Sequence, residues 1–76
     1  MGSESAEILG IELSRLQNSV AHLERSNDEL REALERDGED EEYSVAIREN
    51  EEVLVRLRLQ IEELRKELAS RVGAGR

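Results

Sequence analysis

His22 is the only histidine in the chain, and there is no cysteine. An imidazole can act as a general base or a metal ligand, but either task needs a second group, a nucleophile or further ligands. In the heptad pattern set out below, His22 takes an outward c position with no such group in reach. It reads as a solvated or surface-bonded side chain. The second concentration of reactive groups is the run of carboxylates Asp37, Glu39, Asp40, Glu41 and Glu42. It lacks the Asp-x-Asp/Asn-x-Asp/Asn-Gly order of a calcium loop, so it reads as a solvated helix cap. No glycine-rich phosphate loop occurs. The expectation is a protein that is not an enzyme, with no catalytic, cofactor or metal site.

Two amides stand out instead. In HLERSNDEL, Leu23 and Leu30 lie seven apart and the intervening seam position is Asn27. In IRENEEVL, Asn50 interrupts a second stripe in the same way. Leu9, Leu13, Leu16, Val20, Leu23, Asn27, Leu30 and Leu34 follow one another in alternating steps of four and three. Tyr43, Ile47, Asn50, Leu54, Leu57, Ile61, Leu64 and Leu68 do so again. That alternation is the a/d seam of a coiled coil, and strands would need period two.

The stripes are joined by Arg36-Asp37-Gly38-Glu39-Asp40. Gly38 can take the left-handed conformation that ends a helix, and Asp40 is a good N-cap for the next. Glu41 and Glu42 then meet the positive end of the helix dipole. Ser3 or Ser5 is the candidate cap of the first helix. Arg65, Lys66 and Arg71 suit the last turns of the second, and Gly73 its stop. The fold class predicted is all-α, a two-helix antiparallel coiled-coil hairpin. Residues 1–4 read as a tag remnant or disordered, 5–36 as a helix, 37–40 as the turn, 41–72 as a helix and 73–76 as a frayed tail; the chain reads as a fragment of a longer protein.

Folding the chain about Gly38 and Glu39 sets Leu34 against Tyr43, Leu30 against Ile47 and Leu23 against Leu54. Farther down, Val20 meets Leu57, Leu16 meets Ile61, Leu13 meets Leu64 and Leu9 meets Leu68. Every a position faces a d position. The remaining pair is Asn27 with Asn50. A lone amide in an apolar layer costs about 1–3 kcal/mol, and a slip of one heptad would strand both. Asn27 and Asn50 are therefore the structural register of the hairpin.

Composition agrees. The chain has 76 residues, 39% charged and 37% hydrophobic, without Phe, Trp, Pro or Cys. Such a mixture suits long helices better than a thick core, and a chain this short is marginally stable alone. The net charge of −8 repels phosphate backbones and anionic headgroups, so nucleic acid and membrane are not expected partners. No apolar run is long enough to span a bilayer.

One flank of the seam is unusual. Ser19, Ser26 and Ala33 lie beside it on the first helix, Ala46, Val53 and Gln60 on the second. Coiled-coil flanks ordinarily carry Glu and Lys. A small, weakly charged edge lets another helix approach closely. Val45, Val55, Leu59, Ile8 and Ile11 also fall outside the seam.

The combination IELSRLQNSVAHLERSNDEL, an acidic turn, then YSVAIRENEEVL followed by IEEL resembles a known family. It is similar to the fungal ATPase-dedicated proteasome assembly chaperones, small acidic proteins also known as translation-machinery-associated proteins. The similar positions are Ser19, His22, Leu23, Arg25, Ser26, Asn27 and Leu30, then Tyr43, Arg48, Glu49, Asn50, Glu51, Val53 and Leu54, within residues 11–68. This turn is short, and the long C-terminal tail that such proteins can carry is absent.

The resemblance implies a stress-responsive chaperone that binds the N-terminal coiled-coil region of one ATPase subunit of the regulatory particle base and promotes its pairing with a neighbour. It also implies a cytoplasmic protein, or one shared with the nucleus. On that implication Ser26, Ala33, Ala46 and Val53 form the close-approach edge, and Arg25, Arg48, Glu49 and Glu51 supply polar contacts. The alternative is a self-associating structural coiled coil, a homodimer or generic helical adaptor with no proteasome client.

Overall fold

Leucine-rich heptads without proline give each half of the chain one continuous helix. In the computed structural model α1 spans Gly2–Asp37 and α2 spans Glu41–Ala74. The structure describes the backbone of residues 2–74 and the side chains of residues 6–71. Both helices run beyond the spans expected from spacing, 5–36 and 41–72. At the outer ends α1 starts upstream of Ser3 and Ser5, and α2 passes through Gly73. The side chains of Ser3 and Ser5 lie outside the described residues. Helix ends add or lose a turn at little cost where no proline intervenes.

The reversal occupies residues 38–40. Gly38 has φ of +90°, a conformation a Cβ would strain, and its N–H closes the end of α1 on the Leu34 carbonyl at 2.9 Å. Asp40 then starts α2: its carboxylate accepts from the Tyr43 N–H at 3.2 Å and its carbonyl from the Ser44 N–H at 3.1 Å. That is the N-cap geometry, satisfying a donor the helix start would otherwise leave orphaned.

The helices lie antiparallel as a rod of 56 × 15 × 14 Å. Its radius of gyration is 17.1 Å, against about 11 Å for a globule of this length. A pair of helices has one shared stripe and no third wall. The consequence is severe: among the described residues only Leu54, at 5% exposure, and Asn27, at 2%, are buried. Leu23, Leu30, Leu34, Ile47, Leu57 and the rest of the seam stay half-buried. Tyr43, at the turn end of the stripe, is more open than the rest of it, at 36% exposure.

Candidate functional site: two unequal edges of the hairpin

The asparagine layer sets the register of everything beside it. Asn50 Nδ2 donates to Asn27 Oδ1 at 2.8 Å, and Asn27 Nδ2 donates to the Ile47 carbonyl at 3.3 Å. Among the described residues no buried side-chain N or O lacks a partner. The most enclosed residue of the hairpin is thus polar and satisfied, so the amides cost little in this alignment and would cost much in any other.

Outward from that layer the two edges differ. Along one, Arg31 Nη2 contacts Glu51 Oε2 at 2.9 Å, and Arg58 pairs with Glu24. Arg31 also approaches Asp28 at 3.5 Å. These groups, with Asn27, Leu54 and Val55, line one shallow groove. Antiparallel pairing places e positions opposite e positions, and here each contact joins opposite charges. Arg31, Glu24, Arg58 and Asp28 were not among the site residues predicted from sequence. Extending the fold-back arithmetic from the seam to the e positions would have found the two cross-helix pairs.

Along the other edge lie Ser26, Ala33, Ala46 and Val53, all half-buried, while Ser19 and Gln60, nearer the open end, are exposed. No ion pair between the helices crosses this edge among the described residues. Near the turn it is bordered by carboxylates: Glu41, Glu42 and Glu49 line a groove with Val45 and Ala46. Glu29 borders it from α1. None of Glu29, Glu42 and Glu49 is in an ion pair among the described residues. This stretch offers small apolar contact flanked by unneutralised negative charge.

Of the four polar residues expected to work with that edge, one shares its face and three do not. Glu49, at a c position, borders it. Glu51 projects on the opposite edge and is held by Arg31. Arg48 occupies a b position on that same side, and Arg25 the f position pointing straight away from α2. Both arginines are exposed, as is His22. The heptad wheel separates them because nearness in level along the rod is not nearness around it.

The chain matches the family model described as the TMA17 helical domain over residues 4–74. It belongs to that family. The match covers both helices and the turn, so the TMA17 helical domain is the hairpin as a unit. No curated protein and no solved structure matches the chain. TMA17 is a proteasome assembly chaperone, which agrees with the resemblance found in the sequence. No helix of the described residues is long and apolar enough to cross a membrane, and no group of acidic or histidine side chains there could hold a metal ion.

Proposed function

We propose that this hairpin is an assembly chaperone for the base of the proteasome's regulatory particle, acting by binding and not by catalysis. It takes the N-terminal coiled-coil region of one ATPase subunit against its small-residue edge and holds that subunit ready to pair with a neighbour. Cytoplasm and nucleus, where such a client is assembled, are its proposed compartments. The observation that carries the reading is the open seam. Among the described residues only Leu54 of the apolar ones is buried, and one of the two edges has neither bulk nor charge pairing between the helices to keep a third helix away.

A third helix laid along Ser26, Ala33, Ala46 and Val53 would cover the half-buried leucines that two helices cannot enclose. This is the helix-in-groove mode of recognition, in which apolar contact gives affinity and flanking charge gives orientation. Glu29, Glu42 and Glu49 favour a client segment with Lys or Arg beside its apolar stripe. Glu51, Arg48 and Arg25 contribute through the rod's shape and charge, not through contact at that edge.

The test is capture of the purified ATPase N-terminal coil by the hairpin carrying Ala46→Arg and Val53→Arg. Loss of capture with helicity unchanged by circular dichroism is the expected result; unchanged capture refutes the edge assignment. The competing reading is a structural coiled coil without a client. A tight homodimer broken by the same two substitutions, with no binding of the ATPase coil, would establish it instead.

A further inference from the structure

Because Asn27 faces Asn50, each residue of α1 has a counterpart at its own level on α2. At the c positions bordering the small-residue edge, two of these levels hold groups of one kind on both sides. Glu29 lies level with Glu49, so two carboxylates flank the edge there. One heptad farther from the turn, about 10 Å of helix, His22 lies level with Arg56, an imidazole and a guanidinium. All four side chains are exposed, and none is in an ion pair among the described residues. Arg25 and Glu52, one helical turn before Glu29 and Arg56, make no ion pair with them.

The opposite edge is arranged the other way. Glu24 and Arg31 each meet a residue of opposite sign from α2, Arg58 and Glu51, and the hairpin neutralises its own charges. Like groups facing across the small-residue edge cannot do that for one another, whereas a third group seated between them can. Between the two levels lie Ser26 and Val53, both half-buried. An apolar centre bracketed by a polar rim is the anatomy of a protein interface.

We infer that the helix received on this edge carries a Lys or Arg at the level of Glu29 and Glu49, and an Asp or Glu seven residues away at the level of His22 and Arg56. The Arg56 guanidinium and a ring N–H of His22 both donate to that carboxylate. The client's cation then lies toward the turn and its anion toward the open end, which fixes the direction of docking. The inference rests on the docking of the ATPase coil proposed above and adds the charge pattern by which the coil is chosen.

The experiment is titration calorimetry of the purified ATPase N-terminal coil against the full chain carrying His22→Glu and Arg56→Glu. General attraction of an acidic hairpin for a basic client would grow as the net charge falls below −8. The charge pattern requires the reverse, a loss of about tenfold or more. Arg25→Glu with Arg48→Glu, on faces away from the edge, lowers the net charge further and should cause no such loss. Arg56→Gln alone should weaken binding about threefold. Circular dichroism of each variant reports that the hairpin is intact. If the unaltered chain binds the coil, then unchanged or tighter binding by the His22→Glu, Arg56→Glu variant, or an equal loss with Arg25→Glu and Arg48→Glu, overturns this inference alone. A coil that the unaltered chain does not bind overturns the proposed function with it.

Discussion

The two edges of the hairpin are built from the same seam and do opposite things. Along the edge of Glu24, Arg31, Glu51 and Arg58, charges from one helix satisfy charges of the other. Along the edge of Ser26, Ala33, Ala46 and Val53, the side chains are too small to reach across, and the seam lies open to a neighbour. The short reversal at residues 38–40 already fixes the direction of the two helices, and the asparagine layer their register, so neither task requires charge on both edges. The other edge is then available for recognition.

Substitutions can break this comparison or sharpen it. The largest expected effect is on binding. Val53→Arg with Ala46→Arg should lower affinity for the ATPase coil by about a hundredfold or more, as removing a central apolar anchor does. Glu24→Ala with Arg31→Ala should change it less than about threefold. Titration calorimetry with the purified coil compares them directly, and equal losses would erase the distinction between the edges.

Next in size is the seam that both edges share. Leu54→Ala should destabilise the hairpin by about 2–5 kcal/mol, read from urea unfolding, because among the described residues it is the one buried apolar side chain. A smaller loss there would mean that the seam derives little from burial.

Asn27→Ala follows, with an expected cost of about 1–3 kcal/mol, since it strips the bonding partner from Asn50. Replacing both asparagines by leucine should instead raise the unfolding midpoint and admit shifted alignments. Cross-linking between positions 24 and 58 would report them as lost efficiency, because slippage separates those sites. The smallest effect belongs to the charged edge. Arg58→Ala should cost about 0–1 kcal/mol, and the difference from the unaltered chain should shrink as salt is raised.

Much of this was legible in the sequence. The alternating steps from Leu9 to Leu34 and from Tyr43 to Leu68 specify two helices and their pairing, and Gly38 with Asp40 specifies where the chain turns. Those signals are local or strictly periodic, so they survive without coordinates. The arrangement of the polar residues was less legible. Arg25, Arg48, Glu49 and Glu51 all lie near the level of the asparagine layer, yet they point to different sides of the rod, and only the angular position within the heptad separates them. Glu51 shows why: its bond to Arg31 depends on a residue twenty positions away that no short motif includes. The partial burial of nearly every leucine was also hidden, because an apolar stripe does not announce how many helices will cover it.

The brevity of the reversal at residues 38–40 has a kinetic consequence. Leu34 and Tyr43 are brought together by closing a very small loop, and each later pair closes onto helices already started, so nearly all contacts are cheap in chain entropy. The molecule should zip from its turn toward its termini within microseconds to milliseconds and unzip in the reverse order. Leu9 and Leu68 would part first, while the carboxamide rung and the turn are still joined.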